Sequence, residues 1–427
     1  MEIVIIGGGF AGLNLAKELL NQKDVHVTLV DKNNYNFFPP LIYQVATAFL
    51  EPSSISYPFR KFFAGKKNLQ FRLGQLQEVV PDENKVILHN GEISYDYLVF
   101  ATGAETSYFG LENVKKNAIP MKTLNDAIDM RNTILKNLEK AAICRDTRER
   151  RALLTIVVAG GGPTGVEVSG MFAELKNNIF LKEYPELATA ASNIYLIDGG
   201  PALLAPMSKA SQEDTHKALT DLGVIVKLNI QVVDYKEGIV YLSNDETIQS
   251  ENLIWAAGVS AMTFKGIPSE SYGRGKRMIT DTYNKVQGTK NIYAIGDTAI
   301  QNSDPAFPDG HPQVAQVAIQ HGINLAANFK SMLRNKPLTP FKYNDKGSMA
   351  IIGKNKAVVD LPKPKMHFKG FFAWAIWLFI HLVSLLTYRN RVKTFFNWMI
   401  AYFAKDQSLR MIIRPDKKMK PVKNASE

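Results

Sequence analysis

Two glycine-rich stretches have the residue types and spacing of loops that bind the phosphates of a dinucleotide. Each follows an apolar, β-branched run and carries a G-x-G-x-x-G pattern: Gly7, Gly9 and Gly12 near the N-terminus, and Gly160, Gly162 and Gly165 in the middle of the chain. Glycines at this spacing let the backbone approach a pyrophosphate at the N-terminus of a helix. One such motif is a weak signal, but two in one chain predict two bound dinucleotides.

Each glycine motif is followed by an aspartate at the end of a strand-like run, Asp31 in the first unit and Asp198 in the second. An acidic residue about 20 positions past the glycines accepts hydrogen bonds from a ribose, and we expect this role for both. For Asp31 the alternative is a solvated residue at a strand end. Asp198 comes later than the usual spacing, which predicts an extended helix or an insertion around residues 177–192. Two glycines and a proline follow Asp198 instead of an arginine, so NAD is favoured over NADP.

Both units read as strand, glycine turn, helix and strand, the elements that would position these residues. Three further apolar runs end in small residues or in Gly-Asp: residues 95–103, 252–258 and 291–297. Parallel strands of this kind return the chain to the edge of a sheet where a nucleotide binds. The aromatic, proline-punctuated segment 33–48 is too apolar for a plain surface loop, and either lines a cofactor site or caps a core.

Composition limits the class of protein. The chain has 427 residues, 46% of them hydrophobic and 21% charged, which fits two or three globular domains. Its single cysteine, Cys144, excludes a disulfide framework and a redox-active cysteine pair within the chain. The sequence begins directly in a strand pattern, without a signal peptide or a presequence, and this favours a cytoplasmic protein.

The basic charge is concentrated in the tail, residues 361–427, which hold 13 lysines and arginines against three acidic residues. This charge flanks aromatic-rich apolar segments, so an anionic membrane is a better partner than nucleic acid. The first segment, Gly370 to Tyr388, would extend about 28 Å as a helix against a hydrocarbon core of about 30 Å. A tilted span and a buried core helix are the alternatives. Because the second segment, Thr394 to Phe403, is too short to cross, we expect both to lie at the membrane interface.

Over nearly its whole length the sequence resembles the type II NADH dehydrogenases, the single-subunit NADH:quinone oxidoreductases among the two-dinucleotide flavoproteins. The glycine loops are common to that superfamily, whereas Ala315 to Gln320 (AQVAIQ) and the tail are more specific. The resemblance implies an α/β fold with two Rossmann-like dinucleotide-binding domains, for FAD and NADH, and a C-terminal helical membrane-anchoring segment. The expected boundaries are 1–118 with 285–360 for FAD, 119–284 for NADH, and 361–427 for the tail.

The resemblance also implies site residues. Those expected to hold FAD are Gly7, Gly9, Phe10, Ala11, Gly12, Asp31, Lys32, Gln44, Ala101, Thr102, Gly103, Gly296, Asp297 and Gln316. Those expected to hold NADH are Gly160, Gly162, Pro163, Thr164, Gly165, Asp198, Ala257 and Gly258. No metal site is predicted.

Three residues are expected to act in the reaction itself. Glu167 would lie where nicotinamide, flavin and quinone meet and would relay a proton if burial raised its pKa; otherwise it is a carboxylate that favours a helix N-terminus. Gln316 and Gln320 stand four apart on one helix face and could donate to quinone carbonyls without adding charge. An ordinary polar helix face is the alternative for these glutamines.

The sequence therefore predicts a membrane-associated, non-pumping NADH:quinone oxidoreductase with FAD as cofactor. A sulfide:quinone oxidoreductase would need the missing cysteine pair. Two more functions stay open: a related flavoprotein with another acceptor, and an NADH-sensing flavoprotein similar to apoptosis-inducing factor. We expect a peripheral location on the cytoplasmic face of the cell membrane and a possible homodimer. Whether the quinone is menaquinone or ubiquinone is not decided by any single residue.

Overall fold

The N-terminal domain is built on a five-stranded parallel sheet. A computed structural model describes residues 1–404 and 409–413 of the chain. The strands of this sheet, in spatial order, are Ile292–Ala294, Tyr97–Phe100, Glu2–Ile6, His26–Asp31 and Leu69–Leu73. The β-branched and aromatic runs read from the sequence are buried here, as expected for a parallel sheet covered on both faces.

A second parallel sheet of the same size forms the middle domain. Its strands, in spatial order, are Ile119–Pro120, Asn252–Trp255, Ile156–Ala159, Ile194–Asp198 and Val224–Leu228. In each sheet the strand that precedes the glycine motif is central, with the strand that ends in the aspartate beside it. The sequence prediction of two Rossmann-like units is confirmed by this topology.

Smaller sheets complete the two domains, and their strands are antiparallel except for the pairing of Met278–Ile279 with Ala299–Ile300, which is parallel. Three-stranded sheets are formed by Leu76–Val80, Lys85–Leu88 and Gly91–Ser94, and by Val232–Lys236, Ile239–Leu242 and Thr247–Gln249. Two-stranded pairings join Tyr35–Phe37 to Ser56–Pro58, Glu105–Thr106 to Val259–Ser260, and Met278–Ile279 to Ala299–Ile300. Ile267 and Met278 belong to the apolar core of the N-terminal domain, so the chain returns there before residue 285.

Helices cover the sheets. Phe10–Glu18 and Pro163–Leu175 begin directly at the glycine loops. Ala315–Leu333 packs so closely on the first of these that a Cβ on Gly322 would lie 2.5 Å from the carbonyl oxygen of Ala11. The remaining α-helices before the tail are Ile42–Ala46, Pro52–Ile55, Phe59–Phe62, Glu112–Asn117, Leu124–Ile143, Thr147–Leu154, Leu181–Glu183 and Lys209–Asp221.

The insertion expected around residues 177–192 continues the second glycine helix. A π-helical turn, Lys176–Phe180, is followed by two short helical turns before the chain reaches the aspartate strand. The Arg410 guanidinium pairs with the Glu183 carboxylate in this insertion. The insertion therefore provides a docking point for the segment that follows the last helix.

The C-terminal part consists of an antiparallel sheet and two helices. The strands are Ser348–Gly353, Lys356–Pro362 and Lys365–Lys369, and the helices are Gly370–Ser384 and Tyr388–Ala404. The expected boundary between residues 360 and 361 falls inside the second strand, so the sheet and the tail helices form one unit. Within residues 1–404 and 409–413, no helix combines the length and the apolarity needed to cross a membrane.

The last helix is fastened to the N-terminal domain by a buried asparagine. The side-chain amide of Asn390 donates to the carbonyl oxygens of Ser53, Ser54 and Ser56, at 3.1, 2.8 and 3.2 Å. Because Asn390→Ala would remove these three hydrogen bonds, one of them buried, we expect it to lower the free energy of unfolding by about 1–3 kcal/mol. Denaturant unfolding measures this. The exposed neighbour substitution Arg389→Ala should change it by less than about 0.5 kcal/mol, and an equal loss in both would contradict the assignment.

Candidate functional site

The first glycine loop makes a tight turn between strand and helix. Gly7 has a φ of +104°, and a Cβ at this position would lie 2.3 Å from the carbonyl oxygen of Ala101. A Cβ on Gly12 would lie 1.9 Å from the carbonyl oxygen of Gly7. These contacts bring the start of helix Phe10–Glu18 close to the sheet, while nothing lies within 4 Å of a Cβ on Gly9. The loop therefore leaves open space at a helix N-terminus, where an anion is favoured.

The second loop repeats this geometry. Gly160 has a φ of +113°, and its Cβ would lie 2.4 Å from the carbonyl oxygen of Ala256. A Cβ on Gly165 would lie 1.8 Å from the carbonyl oxygen of Gly160, and Gly162 again faces open space. The two domains thus present equivalent glycine loops, each with open space at the N-terminus of a helix.

The two aspartates hold the loops in equivalent ways. The Asp31 carboxylate accepts hydrogen bonds from the backbone N–H groups of Gly8 and Asn33, both at 2.7 Å. Asp198 accepts from the N–H of Gly161 at 2.5 Å and of Gly200 at 2.7 Å. Burial raises the pKa of Asp31, although these amides oppose the shift. Since each carboxylate oxygen has two lone pairs, both residues retain acceptor capacity for ribose hydroxyls.

A cavity of about 720 Å³ opens beside the first loop. Of the residues singled out from the sequence, it is lined by Gly7, Gly9, Phe10, Ala11, Asp31, Lys32, Ala101, Thr102, Gly103, Pro163, Thr164, Glu167, Gly296 and Asp297. The volume is in the range of cofactor sites. The first turn of the second glycine helix thus reaches the cavity of the first domain, which brings the two units to a common point.

The polar groups around this cavity fit FAD. The hydroxyl of Thr102 is buried and has no hydrogen-bond partner in the described part of the chain. Burial raises the pKa of Asp297, against the opposing charges of Lys122 and Arg277. Together with the open helix N-terminus at Gly9, these groups provide donors and acceptors for a pyrophosphate and a polyhydroxyl chain.

The residues expected for NADH lie mostly at the corresponding edge of the middle sheet. They follow the carboxyl ends of its parallel strands and do not line the large cavity: Gly160, Gly162, Gly165, Asp198, Ala257 and Gly258. This edge is where nucleotides bind in doubly wound sheets.

Glu167 sits one turn into the second glycine helix, between the domains. Gly170 lets this helix approach strand Ser348–Gly353, since a Cβ there would lie 1.7 Å from the carbonyl oxygen of Ile352. Burial raises the pKa of Glu167 to about 8, while the Ile351 amide and the Trp377 indole act in the opposite direction. The indole N–H approaches the carboxyl group without forming a hydrogen bond of good geometry. At neutral pH the group is therefore mostly protonated and able to give a proton.

Comparison with known proteins agrees with this geometry. The family model for pyridine nucleotide-disulphide oxidoreductases matches residues 1–322, and that for the NDH2 C-terminal domain matches residues 346–406. The chain is 36% identical to the type II NADH:quinone oxidoreductase NdhA of Mycobacterium tuberculosis, over 95% of this chain and 87% of that protein. The chain belongs to the type II NADH:quinone oxidoreductases.

More distant relatives of this oxidoreductase match it along most of its length. The external NADH-ubiquinone oxidoreductase 2 of Saccharomyces cerevisiae is 29% identical, over 96% of this chain and 82% of that protein. An NDH2 structure from Plasmodium falciparum in complex with NADH superposes with a TM-score of 0.87 at 24% identity, covering 97% and 99% of the two chains. The sulfide:quinone oxidoreductase of Aquifex aeolicus superposes less closely, with a TM-score of 0.69 at 20% identity, covering 95% and 96%.

The two glutamines of this oxidoreductase lie on one helix face, but that face is occupied by the chain itself. Gln316 donates to the carbonyl oxygen of Gly347 at 2.8 Å and accepts from the N–H of Lys346 at 3.1 Å. Gln320 exchanges two hydrogen bonds of 2.9 Å with the backbone of Asn344. Neither glutamine lines the large cavity. Their observed contacts are those of a polar face that holds segment 343–347 in place.

Gln44 is also placed differently from its expected role. It is 3% exposed, does not line the cavity, and bonds to the side chains of Tyr43 and Trp398. Its neighbour Tyr43 lines the cavity instead. Adjacent residues of a short helix point in different directions, so an error of one position changes which side chain reaches the cavity. The spacing of motifs in the sequence does not predict the direction of a side chain with that accuracy.

Two histidines of the oxidoreductase contribute in ways the motifs did not indicate. His321 accepts a hydrogen bond from the N–H of Gly296 at 3.0 Å, and burial lowers its pKa to about 3, so it supports the turn before Asp297 as a neutral group. His381 comes from the first tail helix, stacks 3.7 Å from Trp377 and lines the cavity. The sequence signal for His381 was the presence of a polar residue within the apolar segment that follows Gly370.

Proposed function

We propose that the protein oxidises NADH and reduces a quinone at the large cavity, with FAD as its resident cofactor. The observation that carries this proposal is a single cavity lined both by the first glycine loop and, from the second domain, by Pro163, Thr164 and Glu167 at the start of the second glycine helix. When bound, the flavin supplies hydride acceptance and electron transfer, which side chains cannot provide.

The residues of the chain bind, orient and supply protons. The open N-termini at Gly9 and Gly162 stabilise the two pyrophosphates, and Asp31 and Asp198 accept ribose hydroxyls. Glu167 is protonated near neutral pH because its carboxyl group is buried, so it can deliver a proton to a quinone oxygen that gains charge. Quinone reduction consumes two protons, and this carboxyl group is positioned to supply one of them.

The nicotinamide preference tests the proposed function directly. The purified protein should be yellow, NADH should bleach the flavin band at least about tenfold faster than NADPH, and added quinone should restore it. The reason is that the Asp198 carboxylate repels a 2′-phosphate. Asp198→Asn should narrow the difference between the two rates, because flavin reduction by NADH becomes slower and flavin reduction by NADPH becomes faster. Equal rates of the two nucleotides in the unsubstituted enzyme would contradict the role of Asp198, and failure of quinone to restore colour would contradict the proposed acceptor.

The tail helices support a peripheral location at a membrane. They expose large apolar side chains to solvent: Phe371, Phe372, Phe379, Ile380, Val383, Tyr388, Phe395, Phe396, Met399, Ile400 and Phe403. Phe372 is 74% exposed and Phe396 59% exposed. A contiguous exposed apolar surface of this kind marks a site of interaction with a protein or a membrane. With Arg389 beside them, these rings suit the interface of an anionic lipid layer. We propose that this surface holds the enzyme on the cytoplasmic face of the membrane and that a homodimer forms.

Substitution of the exposed rings tests the membrane surface. The double variant Phe372→Glu/Phe396→Glu should bind vesicles of anionic phospholipid at least about tenfold more weakly, because two apolar contacts become charged. Co-sedimentation with the vesicles measures binding. Ile143→Glu is the matched control, since Ile143 is 77% exposed at the end of a helix outside the tail. A similar loss in the control, or none in the double variant, would place the membrane contact elsewhere.

A further inference from the structure

A line of hydrogen bonds runs from the second tail helix to the wall of the large cavity. The indole Nε1 of Trp398 donates to the side-chain oxygen of Gln44 over 2.8 Å. The amide nitrogen of Gln44 donates to the hydroxyl oxygen of Tyr43, also over 2.8 Å. All three residues are buried, and of the three it is Tyr43 that lines the cavity.

The direction of this line is fixed at its outer end. An indole nitrogen can donate a hydrogen bond but cannot accept one, so the Gln44 atom that faces Trp398 must be the oxygen. The other side of the same amide is then the NH₂ group, which faces Tyr43. The Tyr43 oxygen is therefore an acceptor from Gln44, and an indole more than 350 positions away along the chain determines this.

The hydrogen of the Tyr43 hydroxyl is consequently directed away from Gln44. Across residues 1–404 and 409–413, the hydroxyl has Gln44 as its hydrogen-bond partner and no acceptor for its own hydrogen. Burial raises the pKa of Tyr43 well above its usual value, and the Glu167 charge acts in the same direction, so the hydrogen stays on the oxygen. A buried donor left unpaired is costly, and a bound acceptor at the cavity wall would remove that cost.

The surroundings of Tyr43 favour an apolar ring with carbonyl oxygens. Its ring packs edge-on against Trp377 at a centroid distance of 6.3 Å. The chain just before Tyr43 contributes Pro39, Pro40 and Ile42 to the cavity lining, and Met349 and Glu167 line the same cavity. These residues do not take part in binding the phosphates of a dinucleotide, because the glycine loops that would do so lie on other elements.

We propose that Tyr43 donates a hydrogen bond to a carbonyl oxygen of the quinone, and that Gln44 and Trp398 are positioning residues that keep its hydroxyl turned toward the cavity. The inference rests on the proposed function, because the quinone is the acceptor. Tyr43 keeps its proton throughout and stabilises the charge that develops on the oxygen. The tail thus serves the active site as well as the membrane surface.

The two half-reactions of the flavin-loaded enzyme test this inference when they are followed separately by stopped-flow absorbance. Tyr43→Phe should slow reoxidation by a short-chain quinone about tenfold, while reduction by NADH stays within about twofold. Trp398→Phe should also slow reoxidation, because the Gln44 amide is then free to turn and accept the Tyr43 hydrogen. The double variant Tyr43→Phe/Trp398→Phe should be no slower than Tyr43→Phe alone, since both changes remove one interaction.

Trp374→Phe is the matched control. Trp374 lies in the first tail helix, packs on Phe371 and Tyr402, and is outside the line of hydrogen bonds, so its substitution should leave both half-reactions unchanged. Wild-type reoxidation rates in Tyr43→Phe, or effects of the two substitutions that multiply in the double variant, would overturn the inference. If the unsubstituted enzyme itself is not reoxidised by quinone, the proposed function fails instead.

Discussion

Replacing Glu167 by Gln is expected to lower quinone-dependent turnover about 100-fold and to leave reduction of the flavin by NADH nearly unchanged. The glutamine keeps the volume of the side chain but has no proton to give. A positioned general acid contributes roughly 10²–10⁴-fold, and the lower end applies because water can supply part of the demand. Stopped-flow measurement of reoxidation by quinone separates this step from the reduction by NADH.

The pH dependence gives this prediction a second readout. The folded-state pKa of Glu167 is about 8, raised by burial from an ordinary value of 4.5. Reoxidation should therefore be fast below pH 8 and fall as pH rises through it. Glu167→Gln should lose this alkaline decrease, and a decrease that persists in the variant would identify another group as the donor.

Stability provides the control for the same substitution. Because the folded protein binds a proton at Glu167 that the unfolded chain releases, stability declines as pH rises from about 4.5 to about 8. Glu167→Gln removes this penalty, so the variant should unfold at an equal or higher temperature near pH 8. A marked loss of stability would show that the lower turnover reflects damage to the fold.

Adding one methyl group to the third glycine of each loop should separate the two nucleotide sites. A Cβ on Gly12 would lie 1.9 Å from the Gly7 carbonyl oxygen, and a Cβ on Gly165 would lie 1.8 Å from the Gly160 carbonyl oxygen. Both obstacles are backbone atoms, so the helix must move away from its loop. Gly12→Ala should yield protein with little bound flavin, whereas Gly165→Ala should remain yellow and be reduced by NADH at least about tenfold more slowly.

Absorbance of the purified variants and NADH titration of the flavin band measure these effects. Gly9→Ala and Gly162→Ala are informative controls, because nothing lies within 4 Å of a Cβ at either position. These variants should fold normally. Any loss of affinity for the nucleotide should come only from contact between the added methyl group and the pyrophosphate. Loss of flavin in Gly165→Ala together with retention in Gly12→Ala would reverse the assignment of the two domains.

The twin nucleotide-binding units were predictable because their signals are local. A glycine turn, a helix start and an aspartate at the end of the next strand are set by a few neighbouring residues, and Asp31 and Asp198 contact their loops in the same manner. Helical periodicity likewise placed Gln316 and Gln320 on one face. Periodicity gives the direction of a side chain but not its partner, and here the partner is the segment around Asn344 and Gly347.

The sequence by itself predicted the two dinucleotide units, a preference for NAD and an aromatic, basic tail, because glycine spacing, one carboxylate and local composition carry that information. Only the tertiary structure decided which side chains reach the common cavity. Glu167 has a raised pKa because the C-terminal sheet covers its helix. Tyr43 lines the cavity, and the amide that bonds to its hydroxyl is oriented by Trp398 from the far end of the chain. Burial and hydrogen-bond direction depend on segments that meet only after folding.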